Sequence, residues 1–321
     1  MTPLPPLSFG VFRFEIRCLT PMHLRPFVTS TLRGAFGAQF RRMVCLTRQK
    51  TCEGCVLRTQ CPYGVLFDPI PPPQAARLRH FSNIPRGYVL NASALPENNL
   101  QPADTFSFDL TLVGHTARYL PYFIYVFRAL EEAGLGAQRE EGHGRFELAH
   151  VRALIPNGGS EVIFDRKEDA LRASTDARPI TDWLPENQTV PNQLTLRFTT
   201  PTQIKHERTL VEKPDFHHVV RSFFRRLSNL SLFYNDQPWT AHYTELFEAA
   251  TQMQTTRNQT FWVHKTRYSA RAQTELFVDG FTGVLTVQGN LEPFWPLLSL
   301  GQWLHAGSNT VFGMGRFVCE V

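Results

Sequence analysis

No stretch of this chain is apolar for long enough to cross a bilayer. Its most apolar run, Tyr119 to Leu130, is too short and contains Arg128. The opening MTPLPPLSFG has no basic residues leading into an apolar segment, so it does not read as a signal peptide. A soluble, cytoplasmic protein is expected. Charge is sparse too, at 19% of 321 residues, with 33 Lys and Arg against 28 Asp and Glu. The net of +5 suits a polyanionic partner without requiring one. Cysteines number only six, and four crowd into one short segment. In a cytoplasmic chain that crowding points to a metal site and away from disulfides. What is plentiful is core material: 42% hydrophobic residues and 26 Phe leave no sign of global disorder. The length suits two domains.

Two distant stretches read almost alike, GHGRFEL from Gly142 to Leu148 and GMGRFVC from Gly313 to Cys319. Upstream of each lies another matched pair, RCLTP from Arg17 to Pro21 and RFTTP from Arg197 to Pro201. The offsets, 180 (201 − 21) and 171 (313 − 142), fit one unit duplicated with insertions.

Each copy shows the same order of patterns. In the first, FGVFRFEIRCLT alternates like a half-buried strand, and Phe27 to Val44 has helical spacing with Leu32, Ala35, Phe36, Phe40 and Met43 on one face. A cysteine-rich insertion follows, at about residues 45–69. RGYVLNAS and TFSFDLTLVG read as strands, Tyr119 to Leu135 as a helix, and GHGRFELAHVRALI as loop and strand. In the second copy QLTLRFTTPTQI is a strand and Asp215 to Phe233 a helix. KTRYSAR and FTGVLTVQG are strands, Leu291 to His305 a helix, and GMGRFVCEV the last strand. Asp182 to Asn192 reads as a linker, giving domains at 1–187 and 188–321. The predicted class is α+β, two tandem ferredoxin-like units, each a four-stranded antiparallel sheet with two helices on one face. The open face of such a sheet is a common platform for single-stranded RNA.

The cysteines are spaced Cys45-x6-Cys52-x2-Cys55-x5-Cys61. Four thiolates with one CxxC suit a closed tetrahedral zinc site, with an iron–sulfur cluster or free thiols as the other readings. The intervening LTRQKTCEGCVLRTQ has little apolar content, so a structural zinc would supply its fold. The glycine-rich loops, Gly134 to Gly144 and Gly307 to Gly315, allow the backbone to approach a phosphate closely. Arg145 and Arg316, each following the second glycine, are then candidate RNA contacts.

These segments together resemble the RAMP superfamily of CRISPR proteins, and more narrowly its endoribonucleases that cut precursor CRISPR RNA within the repeats. The resemblance rests on LRGAFG (Leu32–Gly37), CPYGVLFDP (Cys61–Pro69), LVGHTARYLPYF (Leu112–Phe123) and GLG (Gly134–Gly136). In the second copy it rests on RSFFRRLSNL (Arg221–Leu230), RYSAR (Arg267–Arg271) and LHAGSNTVFGMGRF (Leu304–Phe317). One position departs: the family's last loop usually reads HxGK, and here it reads HAGS, with Ser308 in place of a phosphate-binding lysine.

The resemblance implies metal-independent cleavage, in which a 2′-hydroxyl attacks the adjacent phosphorus and leaves a 2′,3′-cyclic phosphate and a 5′-hydroxyl. Such chemistry needs a base, an acid and cations on the phosphate oxygens. Histidine titrates near neutrality, which makes His23 and His305 the candidate proton carriers, with Arg42 and Lys205 on the phosphate. Arg33, Arg41, Arg145, Arg221, Arg225, Arg267, Tyr268, Arg271, Ser308 and Arg316 are the expected RNA contacts. CRISPR repeat RNA is the implied partner, with other effector subunits after it. The rival readings are a non-cutting RAMP-fold subunit that holds CRISPR RNA, and a zinc-dependent DNA-binding or scaffolding protein.

Overall fold

The computed structural model describes residues 4–71, 84–92, 99–156, 158–172, 176–185, 189–269 and 274–321. In the first half the main elements are β1 (Ser8–Cys18), α1 (Val28–Val44), the short α2 (Pro62–Phe67), β2 (Tyr88–Asn91), β3 (Thr105–Val113), α3 (Leu120–Leu130), β4 (Phe146–Leu154) and β5 (Ser160–Asp165). The sheet runs β2-β3-β1-β4 with every pairing antiparallel, and β5 extends it beyond β4. In the second half follow β6 (Gln193–Thr202), α4 (Phe216–Tyr234), α5 (Tyr243–Thr251), β7 (Gln254–Val263), β8 (Thr266–Ser269), β9 (Thr274–Phe277), β10 (Gly280–Gln288), α6 (Trp295–Leu298), α7 (Gly301–Leu304) and β11 (Phe317–Glu320). Its sheet runs β7-β10-β6-β11, again antiparallel, and repeats the order of the first. The fold is α+β, two ferredoxin-like units in tandem.

Period-two alternation explains β1. Phe12, Phe14, Ile16 and Cys18 face α1 and α3 in the first core. Phe36 of α1 stacks on Phe123 of α3 with centroids 4.0 Å apart, closing that layer. On α4 the helical face Val220, Phe223, Phe224, Leu227 and Leu230 is fully buried in the second core. Each such side chain contributes about 1.5–3 kcal/mol of burial. Asp215 caps this helix reciprocally with His218, whose Nδ1 accepts the Asp215 N–H at 3.1 Å.

The second half departs from the sequence reading in two places. KTRYSAR does not enter the main sheet, because β8 pairs only with β9 in a separate hairpin. The edge position belongs to β7, QTTRNQTFWV, which is mostly solvated and so carries almost no alternation to read. The expected helix from Leu291 to His305 is two short turns, α6 and α7, in a stretch broken by Pro293, Pro296 and Gly301.

The halves interlock. Phe9 and Val11, early in β1, belong to the second core, while Val311 and Phe312 from the second glycine loop belong to the first. Within the expected linker, Trp183 stacks on Phe9 at 4.7 Å and donates its indole N–H to the Phe9 carbonyl at 3.2 Å. Among the described residues no helix is long and apolar enough to cross a membrane.

Candidate nucleic-acid interface

The two glycine loops close by the same hydrogen bonds. In the first, Leu135 N–H donates to Gly144 O, Gly144 N–H to Pro21 O, and Ala137 N–H to His23 O, at 2.9, 2.8 and 3.0 Å. In the second, Ala306 N–H donates to Gly315 O, Gly315 N–H to Pro201 O, and Ser308 N–H to Gln203 O, at 2.7, 2.9 and 2.9 Å. Arg145 and Arg316 give their amide N–H groups to Thr20 and Thr200 Oγ1, both at 2.9 Å. Loop partners differ by 171 residues (315 − 144) and turn partners by 180 (201 − 21), the offsets of the sequence repeat. Gly144 and Gly315 both have positive φ, and a Cβ on either would run into the carbonyl it faces, Leu135 O or Ala306 O. In this register Gln203 is the counterpart of His23; His206 lies three residues further on.

Three arginines on the sheets' open faces are paired. Arg13 binds Asp109 at 2.8 Å, Arg152 binds Glu15 at 3.0 Å, and Arg197 binds Glu320 at 2.5 Å. The seam between the halves is different. A cavity of about 540 Å³ is lined by Arg33, Arg86, Lys205, Arg225, Arg226 and Arg267, with Ser308 and Phe312 from the second loop and no carboxylate. A second cavity of about 740 Å³ shares Arg33, Arg86, Arg267 and Phe312, and adds Arg41, Cys52 and Tyr63 from the cysteine segment's side with the carboxylates Glu53 and Asp68. A side pocket of about 210 Å³ shares Lys205, Ser222 and Arg225 with the first, and adds His206, His218 and Arg221. Together they form one basic groove.

Two of its guanidiniums are under-satisfied. Arg226 is buried and donates Nε–H to Leu304 O at 2.9 Å, yet among the described residues its Nη2 has no partner. Burial pulls its pKa down to about 10, still charged at neutral pH. Arg33 Nε is buried as well, without a partner among the described residues. Burial, and then Arg33 itself, lowers the pKa of Arg267. Buried cations without counter-charges are costly, and a bound polyanion would supply the missing acceptors.

Of the expected RNA contacts, Arg33, Arg41, Arg221, Arg225, Arg267 and Ser308 line this groove, as does Lys205. Arg145 does not; its Nη2 is paired with Glu132. Arg42 is exposed beside Gln39 at the end of α1. Arg316 is partly buried, facing Asp109 and Arg13, with its pKa lowered by burial first. Tyr268 is on β8, and Arg271 lies outside the described residues. Arg86 and Arg226 were not singled out from the sequence. Arg226 had a signal, since it stands three residues after Phe223 and four before Leu230, on the apolar side of α4.

The two candidate catalytic histidines lie elsewhere. His305 is fully buried, with Nδ1–H donated to Met314 O at 2.9 Å. Burial drives its pKa down to about 3, so it is a neutral strut inside the loop and away from any ligand. His23 sits at the first loop, its Nδ1 hydrogen-bonded to Asn99 Oδ1 at 3.0 Å and its ring 5.4 Å from His143.

Cys45, Cys52, Cys55 and Cys61 are partly exposed free thiols between α1 and α2. Thr47 Oγ1 lies 3.9 Å from Cys45 Sγ and 3.7 Å from Cys55 Sγ. Against a burial effect that raises it, hydrogen bonds from the Arg48 backbone, Thr47 and Arg41 lower the Cys45 pKa. The donor set suits zinc, although the four sulfurs are not drawn together. Among the described residues, the one group of three metal-type ligands within 4.8 Å of one another is His206, His217 and His218.

Comparison with known proteins gives a consistent picture. The family model for an N-terminal domain, AF_1859_N, matches residues 7–176, more than half of the chain. The model of the CRISPR-associated endoribonuclease Cas6 matches residues 196–317. An uncharacterized protein of Archaeoglobus fulgidus is 24% identical over 318 residues, covering 97% of this chain and 98% of its own. Among solved structures, a Cas6 product complex superposes with a TM-score of 0.55 at 17% identity, covering 98% of this chain and 99% of that one. Thermus thermophilus Cas6 superposes with 0.53 at 16% identity, with the same coverage. A partial Cas6-RT-Cas1–Cas2 complex gives 0.56 at 12% identity, over 99% of this chain and 47% of that one. At these identities the superpositions show the shared fold.

Proposed function

The chain belongs to the family of the AF_1859_N domain and carries a C-terminal CRISPR-associated endoribonuclease Cas6 domain, and from that premise we propose that it matures precursor CRISPR RNA by cutting within the repeat. The observation that carries this reading is the first cavity at the seam, whose described lining has six cations and no carboxylate, and where the Arg226 guanidinium is buried with Nη2 unpaired among the described residues. Phosphates of the repeat fill the acceptor positions that the protein leaves empty. The cations of α1, α4 and the second loop neutralise the backbone, and the glycine loop sets the scissile phosphate against them.

The chemistry proposed is attack of the 2′-oxygen on the adjacent phosphorus, without a catalytic metal. The cysteine segment is proposed as a structural zinc knuckle that holds Arg41 and Tyr63 at the groove's far end. The partners proposed are the repeat RNA and, after cleavage, effector subunits that receive the bound product.

Incubating the chain with its repeat RNA in EDTA tests the reading. Cleavage ending in a 2′,3′-cyclic phosphate and a 5′-hydroxyl is the expected result. Tight binding without cleavage would make the chain a CRISPR-RNA-holding subunit instead.

A further inference from the structure

The groove's side pocket contains the imidazoles that a proton-transfer reaction needs, and neither candidate read from the sequence lies there. Among the described residues lining the groove, only His206 and His218 are histidines. We propose that His206 is the general base of RNA cleavage, with Lys205 as proton donor and His218, Arg221 and Arg225 holding the phosphate. The inference rests on the endoribonuclease reading and supplies the residues that reading leaves unassigned.

Local structure fixes the arrangement. Lys205 and His206 form one strand of a hairpin, paired with Leu210 and Thr209 across the two-residue turn Glu207–Arg208. Both turn residues have positive φ, as a tight type I′ turn requires. The hairpin follows β6 directly and packs against the first turn of α4, where the His206 and His218 rings meet edge-on at 4.9 Å. His218 accepts the Asp215 N–H at Nδ1, so its neutral ring carries the proton on Nε2. With Nδ1 held by that bond, His218 offers only its Nε2–H to the pocket and is a fixed donor. His206 has no such tie; Glu207 Oε1 lies 3.9 Å from its Nε2, placed to stabilise an imidazolium.

The step balances. The 2′-oxygen forms its bond to phosphorus as its proton passes to His206. The P–O5′ bond breaks, and the leaving oxygen takes a proton from the Lys205 ammonium. Water then carries the imidazolium proton back to lysine. Arg221, Arg225 and His218 Nε2–H face the non-bridging oxygens, whose charge grows during attack.

Single-turnover cleavage of repeat RNA by the full chain in EDTA tests this. His206→Ala is expected to cut at least about 100-fold more slowly with unchanged RNA affinity, and to recover with added imidazole. His242→Ala, at an exposed site away from the groove, is the control. Wild-type cleavage by His206→Ala, above all beside a dead His23→Ala, overturns the assignment and leaves the endoribonuclease reading intact. Cleavage that requires added zinc overturns it in favour of a metal on the three histidines. A wild-type chain that binds and never cuts overturns both readings.

Discussion

The Arg33 guanidinium of α1 sits 4.8 Å from the centroid of Phe312, a ring carried by the other half's glycine loop. Arg267 lies over the same ring at 4.2 Å. Two cations share one π system, and the first cavity, which both line, has no carboxylate among its described lining residues. Hydrogen bonding to an anion would relieve that crowding, and under the proposed function the ring would present both guanidiniums to a phosphate. Phe312→Leu keeps the apolar volume and removes the ring. With cation–π contacts worth about 0.5–2 kcal/mol each, RNA affinity should fall about tenfold while the melting temperature changes little. Filter binding and thermal denaturation check the two halves of that expectation.

Much of this architecture was legible because it is written twice. The offsets 180 and 171 reappear as matched hydrogen bonds around Pro21 and Pro201, Gly144 and Gly315. Alternation located β1 and β6, and helical spacing located α1 and α4. Polar β7 was hidden, since an edge strand with both faces wet has no apolar period. The site was legible only in part. Arg33 and Arg225 could be picked out as cations, but whether a cation is paired depends on its tertiary neighbours. Arg145 matches its loop partner in sequence, but Glu132 pairs with it. His305 looked reactive beside a glycine loop, and burial decides otherwise.

The burial of His305 has a pH signature. Its folded-state pKa of about 3 lies below the ordinary 6.5, so above pH 6.5 the site is neutral in both states and contributes fully. As pH falls from there toward 3, the unfolded chain gains a proton that the folded chain refuses, and stability is lost. Between pH 7 and 5 this one site should cost about 2 kcal/mol. His305→Asn retains a donor for Met314 O and removes the titration, so its stability should depend less on pH over that interval. Urea denaturation of both chains at the two pH values measures the difference.

The cysteine segment makes a stoichiometric prediction. If Cys45, Cys52, Cys55 and Cys61 close a zinc site, chain grown with zinc should contain one equivalent by atomic emission. Cys52→Ser should lose that metal and increase proteolysis within residues 45–61. Chelation should leave the cleavage step itself unchanged while weakening affinity, because Arg41 and Tyr63 beside Cys52 line the groove and would lose their support. A cleavage step abolished by chelation would place the metal in the chemistry.

Ser308 offers a gain-of-function test. It is exposed, and its backbone N–H is already held by Gln203 O at 2.9 Å, so a longer side chain disturbs no packing. It also lines the first cavity with Lys205 and Arg225, at the place where the resembling family carries a lysine. Ser308→Lys should therefore add one phosphate contact to a groove already rich in them. For single-stranded RNA each contact steepens the plot of log affinity against log salt by about 0.7. The variant should bind several-fold more tightly at low salt, show a slope steeper by about that amount, and lose its advantage as salt rises. Its single-turnover cleavage rate should stay near wild type, since the added charge grips the backbone without supplying a base. A slope that does not change would mean that the loop's exposed edge faces away from the bound RNA. The phosphate path would then run across α1 and α4 alone.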